Sequence, residues 1–139
     1  MSNCIFCKIV NGDIPAHVVH EDEHTLAIMD IGQVNPGHTL VLSKVHAATM
    51  MDADEELAAQ LFRTANKIAK AVERALPAQG ITILQANRPA GLQTVPHLHL
   101  HVLPRNEGDG VELAWPAKNP EQDVLAGYAE KIRAALAGS

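Results

Sequence analysis

Apolar and polar residues alternate most regularly in the run Pro96, His97, Leu98, His99, Leu100, His101, Val102, Leu103, Pro104. Strict period-two alternation predicts a β-strand with one face in a core. Side chains two positions apart share a face at a spacing of about 6.6 Å, from a rise of about 3.3 Å per residue. Leu98, Leu100 and Val102 are expected to point into the core, and His97, His99 and His101 to line the opposite face. Pro96 suits the first position of a strand, where no ladder donor is needed.

Shorter patterns fill in the remainder. Residues 17–21 and 25–30 read as strands joined by the polar Asp22, Glu23 and His24. The turn Asn35-Pro36-Gly37 leads into a third strand over 38–43, and residues 81–87 read as a fourth. Leu57, Leu61, Ala65, Ile68, Val72 and Leu76 recur at helical spacing, with Arg63, Lys67, Lys70 and Arg74 off that stripe on a solvated face. Asp52 followed by Glu55 predicts a capping box opening this helix, and Pro77 stops it. Residues 4–10 form a short apolar run, one or two helical turns, halted by Asn11-Gly12-Asp13. Val124, Leu125, Tyr128, Ile132, Ala135 and Leu136 mark a terminal helix whose cap is placed at Asn119, with Pro120 in its first turn. Strands on short connections around one long helix predict an antiparallel α+β fold.

Composition narrows the class. A chain of 139 residues is read as one domain, 1–139, able to bury a core. Hydrophobic residues at 47% and charged residues at 19% exclude a disordered chain. A formal net charge of −5 argues against a nucleic-acid or anionic-membrane partner, so an anionic substrate must be held by local donors. No stretch reaches membrane-spanning length, and the first residues lack the pattern of a secretory leader. Two cysteines three positions apart make a poor disulfide framework, which points to the reducing cytoplasm.

The histidine row admits two chemistries. A His-x-His pair binds zinc through neutral ring nitrogens; alternatively, one imidazole is a nucleophile whose neighbours position the reacting group. Cys4-x-x-Cys7 is half of a common zinc site, and as a redox motif it would need a βαβ setting that the pattern does not give. His17, His20 and His24 read as surface or turn residues without assigned chemistry.

His97-Leu98-His99-Leu100-His101-Val102-Leu103 resembles the His-φ-His-φ-His-φφ signature of the histidine triad (HIT) family. Further segments resemble it in order: residues 4–15, 26–31 and 36–42, then Asn87 with Gln93, Thr94 and Val95. Within the family the chain is similar to the Hint-like branch of nucleotide-binding homodimers. The resemblance implies a five-stranded antiparallel sheet with a long central helix, a short N-terminal helix and a C-terminal helix. It implies hydrolysis of purine nucleoside 5′-phosphoramidates, of the AMP-amine kind, through a nucleotide transiently bonded to His99. It further implies that His101 meets the α-phosphate and aids the leaving group, and that His38 supports this arrangement. Asp30 would accept the ribose hydroxyls, while Asn87, Gln93 and Thr94 would donate around the phosphate. Ile5, Phe6, Ile28 and Ile31 are candidates to sandwich the base. Cys4, Cys7, His46 and His97 would hold a structural Zn²⁺, leaving the chemistry metal-independent. Leu92 departs from the pattern by replacing the usual glycine before the glutamine.

Three other readings compete. The same family architecture serves dinucleoside polyphosphate hydrolases. A zinc hydrolase would use His97, His99 and His101 together around an activated water. A nucleotide-binding or partner-binding protein would keep the cleft with little catalysis.

Overall fold

The structure, a computed structural model, describes residues 3–139. Its elements in chain order are α1 (Ile5–Val10), β1 (Val18–Glu21), β2 (Thr25–Met29), β3 (Thr39–Ser43), α2 (Glu55–Ala75), β4 (Gly80–Leu84), β5 (His99–Arg105) and α3 (Gln122–Ala137). The strands form one antiparallel sheet in the order β1-β2-β3-β5-β4. This is the α+β architecture that the pattern and the resemblance predict.

Two apolar layers cover the sheet. The α2 stripe of Leu61, Ala65, Ile68 and Val72 packs on one face against Ala27, Val41, Leu98, Leu100 and Val102. On the other face Phe6 of α1 joins Leu26, Ile28, Leu40 and Leu42. The β5 alternation is therefore real, but its histidine side is covered as well. His97 and His99 are buried, as is Leu98 between them. Burying imidazoles costs free energy unless each ring nitrogen finds a partner, and those partners define the site.

Pro104 lies inside a central strand, where a missing N–H would ordinarily break a ladder. The β3 pairing stops at Thr39 opposite Val102, so no β3 acceptor waits beside Pro104. Its carbonyl instead accepts from Asn35 Nδ2 at 2.8 Å. Gly37 adopts φ +101°, and a Cβ there would stand 2.6 Å from a Leu76 methyl, so glycine is required by both conformation and space. The β1–β2 turn is tied to α2 through Asp22. Asp22 Oδ2 accepts from the hydroxyls of Thr25 (3.0 Å) and Thr64 (3.2 Å), and Oδ1 accepts from the His24 and Thr25 amides.

Four boundaries differ notably from expectation, the first being β4, which ends at Leu84 instead of residue 87. Asp54, not Asp52, caps α2, accepting from the Leu57 amide at 2.8 Å. Asp52 is already engaged by Thr49 in a short 3₁₀ turn over Met50–Asp52. Helix α3 is capped by Glu121, two residues beyond the expected Asn119, which takes φ +46° in the preceding loop. Strand β5 begins at His99 rather than His97: the Leu98 amide donates instead to the Ala47 carbonyl at 2.7 Å, outside the ladder. None of the α3 residues is buried, and its Val124, Leu125, Tyr128, Ile132 and Leu136 stand exposed.

Candidate active site and metal centre

Between α1 and the histidine face of the sheet lies a cavity of about 470 Å³, within the range that holds a small-molecule ligand. Ile5, Phe6 and Ile9 of α1 form one wall, Ile28 and Leu40 the floor, and Asp30, Thr94, His99 and His101 the polar end. The lining suits a flat apolar group at one end and an anion at the other.

Hydrogen-bond partners fix the histidine tautomers along the polar end. His99 Nδ1–H donates to the His97 carbonyl at 2.6 Å, leaving its Nε2 with a lone pair. The Val34 amide donates to His38 Nδ1 at 3.3 Å, so the His38 proton sits on Nε2. That Nε2–H points to His101 Nδ1 at 2.9 Å, with Asp30 Oδ2 at 3.3 Å as a second acceptor. His101 Nδ1 therefore accepts, and its own proton is on Nε2. One imidazole presents a lone pair and its neighbour presents an N–H. This is a nucleophile beside a donor.

Burial pushes the pKa of His38, His99 and His101 below the usual histidine value. For His101, burial is the largest cause, the neighbouring His99 and His38 add to it, and the value falls to about 4. These rings are neutral at pH 7, the form in which a nitrogen lone pair exists. A consequence for stability follows with a definite sign. Between about 4 and the unfolded value of about 6.5, the unfolded chain binds protons at His101 that the folded protein does not, so stability rises with pH across that window. Acidification from pH 7 to 5 should lower the unfolding free energy by at most about 1.4 kcal/mol per pH unit for each such histidine, and the urea midpoint with it. Urea titrations at pH 7, 6 and 5 with coincident midpoints would contradict this assignment.

His97 faces away from the cavity. Its Nε2–H donates to the Ser43 carbonyl at 2.7 Å, which turns the Nδ1 lone pair toward the two cysteines. Nδ1 lies 3.3 Å from Cys4 Sγ, 3.5 Å from Cys7 Sγ and 3.2 Å from His46 Nδ1, and Cys7 Sγ lies 3.2 Å from His46 Nδ1. Zinc bonds of about 2.3 Å to sulfur and 2.0–2.1 Å to nitrogen set tetrahedral edges of roughly 3.3–3.8 Å. The four separations above, 3.2–3.5 Å, lie close to that figure, and all four donor atoms are within 4.8 Å of one another. The three triad histidines thus divide between two centres: His97 joins the cysteines, and His99 and His101 serve the cavity. This division counts against a single zinc hydrolase site made of all three.

Asp30, Thr94, His99 and His101 line the same cavity, and His38 reaches it through its bond to His101. Asn87 and Gln93 are used differently. Asn87 Oδ1 accepts from the Met50 amide at 2.7 Å, and its Nδ2 donates to Gln85 Oε1 at 2.8 Å. Gln93 Nε2 donates to the Ala48 carbonyl and its Oε1 accepts from the Arg88 amide, both at 2.7 Å. Both amides brace loops instead of pointing into the cavity. Between them the chain is strained: Arg88 takes φ +64° and Leu92 φ +72°, conformations that glycine adopts more readily. Ile31 also lines the cavity and is 98% exposed, at its rim, whereas Phe6 and Ile28 are buried in its wall and floor. His17, assigned no chemistry above, also lines the cavity. Gln33, not singled out in the sequence, accepts from the Gly37 and His38 amides and donates to the His38 carbonyl, setting the turn that aims His38.

With the geometry in place, comparisons give the family. Residues 11–108 match the HIT domain profile. The adenosine 5′-monophosphoramidase hnt1 of Schizosaccharomyces pombe is 35% identical over 131 residues, 94% of this chain and 96% of that protein. The crystal structure of a HIT family protein from Bacillus anthracis superposes with a TM-score of 0.91 at 40% identity, covering 96% of each chain. A zinc-bound histidine triad family protein from Mycobacterium smegmatis gives a TM-score of 0.76 at 35% identity, over 96% of this chain and 98% of that one. A lone-pair histidine beside a donor histidine, on an inner strand of this sheet, sits in a chain that belongs to the HIT family.

Proposed function

We propose that the protein is a nucleotide hydrolase of the phosphoramidase kind, cleaving purine nucleoside 5′-phosphoramidates through a His99–nucleotide intermediate. The observation that carries this reading is the opposed pair of tautomers, with His99 Nε2 unprotonated and His101 Nε2 protonated at one end of an apolar cleft. The activity named for the S. pombe relative supports it.

In the first step the His99 Nε2 lone pair attacks the α-phosphorus as the bond from phosphorus to the leaving nitrogen breaks. His101 Nε2 passes its proton to that nitrogen, which leaves as a neutral amine. The bound phosphoryl charge opposes the burial that holds the His101 pKa near 4 in the free protein, so on substrate binding the ring takes up a second proton at Nδ1 while the His38 Nε2–H turns to Asp30, and this imidazolium gives its Nε2 proton and returns to neutral. Water then attacks phosphorus, His101 takes its proton, and the bond to His99 breaks to release the nucleotide. The His97 carbonyl stabilises the positive charge that develops on His99, as an acceptor for Nδ1–H. His38, held by Val34 and Asp30, keeps His101 in register. Asp30 at the cavity end receives the ribose hydroxyls, Thr94 donates to the phosphate, and Phe6 and Ile28 flank the base. Asn87 and Gln93 support the phosphate loop, and direct contact from either would require giving up the bonds described above.

Zn²⁺ fits the Cys4, Cys7, His46 and His97 group, as the M. smegmatis relative suggests, and supplies a structural cross-link when bound. A homodimer is supported by two faces left without a partner: the apolar stripe of α3, and β4 at the sheet edge with Ile83 and Leu84 exposed. Sedimentation at micromolar concentration should give twice the chain mass of 14.9 kDa; the single mass would remove this part of the reading. Free cysteines, and helices none of which is long and apolar enough to cross a membrane among the described residues, are consistent with the cytoplasm.

The intermediate tests the enzyme directly. Rapid quenching during turnover of a nucleotide-labelled phosphoramidate should trap label on the protein at a nitrogen, stable to base and labile to acid. Turnover without any trapped adduct would point to direct attack by water. A dinucleoside polyphosphate turned over faster than the phosphoramidate would favour the sister activity.

A further inference from the structure

Helix α1 is poorly anchored for an element that walls a binding cleft. At six residues it is too short to hold itself in water. Its backbone bonds beyond the helix reach only the following turn, where the Asp13 and Ile14 amides donate to the Lys8 carbonyl. Phe6 is its one fully buried side chain, with Cys4, Ile9 and Val10 half-buried against the same cluster. Among the described residues, every side-chain polar contact from the helix and its cap to the rest of the fold runs through Cys4 or Cys7 to His46 and His97. Those two histidines come from different places, the loop after β3 and the lead into β5. A metal ion on the four groups would pin three segments at one point. The pinned elements are also those that shape the active site. Phe6, between Cys4 and Cys7, packs edge-on against His99 with ring centroids 5.0 Å apart. His97 holds its metal-facing nitrogen on one side and offers its carbonyl to His99 Nδ1 on the other.

Building on the proposed function, we propose that the Cys4–Cys7–His46–His97 centre is a latch for nucleotide binding: a divalent metal there sets the position of α1, and through it the cleft wall and the alignment of His99. The metal acts on affinity through the apolar wall, and on the chemical step only through the His97 carbonyl that aligns His99. It never meets substrate, and the residues it orders are the apolar wall and the carbonyl behind the nucleophile. Phe6 and His97 are accordingly positioning residues. Zinc is the ion favoured by a Cys₂His₂ donor set.

The test compares zinc-loaded protein with protein stripped by a chelator and dialysed, together with a His46→Ala variant that removes a ligand outside both α1 and β5. Three measurements are made: bound zinc per chain, AMP affinity by calorimetry, and amide hydrogen exchange. Stripping and His46→Ala should each weaken AMP binding by 10-fold or more and accelerate exchange at residues 5–11. Exchange in β3 and β5 should be unchanged, and restoring zinc to stripped protein should restore both signals. Unchanged AMP affinity and unchanged α1 protection after stripping would overturn the latch. So would absence of zinc from the protein as purified and after zinc addition. Accelerated exchange throughout β3 and β5 would also overturn it, because the ion would then support the whole fold and not this wall. None of these readouts depends on turnover, so a failure of the phosphoramidase reading would show separately, in the absence of an adduct at His99.

Discussion

Replacing His99 with glycine should lower phosphoramidate turnover by on the order of 10⁴-fold or more, the scale of removing a covalent nucleophile. The expectation rests on His99 Nε2 being the lone pair at the polar end of the cleft. His101 presents a proton there, and His38 is spent on holding His101. Water cannot substitute easily, since it must be deprotonated as it attacks. The substitution also opens a space beside Phe6 large enough for an imidazole. Added imidazole should therefore recover part of the rate and release a nucleotidyl-imidazole, which a merely structural histidine would not produce. His99 is buried, so thermal unfolding of the variant must be recorded in parallel. A folded His99→Gly protein that turns over at the parental rate would remove the nucleophile from the mechanism.

The second large effect depends on the leaving group. His101→Ala should cost about 10²–10⁴-fold when the departing group is an alkyl amine, which must gain a proton as it leaves. The loss should shrink to within about 10-fold for a group that departs without one, such as fluoride or a nitrophenolate. Were His101 only a phosphate contact, both substrate types would suffer alike, since each places the same phosphoryl oxygens in the site. A uniform loss would thus reassign the proton to water. His38→Ala should show the same dependence in weaker form, because it acts by holding the His101 tautomer.

Much of this arrangement is legible in the chain, for reasons that differ by element. The 97–102 alternation and the 57–76 stripe are visible because burial imposes a period, and periods survive without knowledge of the partner. The division of the triad is only half visible. Spacing shows Cys4, Cys7 and three histidines, but the ring of His97 is turned by the Ser43 carbonyl, and main-chain groups carry no residue signature. Asp52 and Asp54 show why boundaries slip: both offer a carboxylate ahead of α2, and Thr49 claims the first. Asn87 and Gln93 show a different limit. Composition reveals which residues can donate; it does not reveal that the Met50 amide and the Ala48 carbonyl have already engaged them. Leu92 is the reverse case, since its departure from the family pattern falls on a left-handed backbone position where glycine carries no steric cost.

The strand order carries a consequence for how the chain is made. Strand β5 is the last to be synthesised, yet it lies between β3 and β4, which have no other neighbour on those sides. A nascent chain that has emerged only through residue 98 leaves β3 and β4 each with an open edge and gives α2 only part of its floor, since Leu100 and Val102 are still missing. Such edges recruit other chains. Ribosome stalling within this stretch therefore leaves a product prone to clump, and the seven residues of β5 close the fold and deliver its reactive nitrogen in the same event.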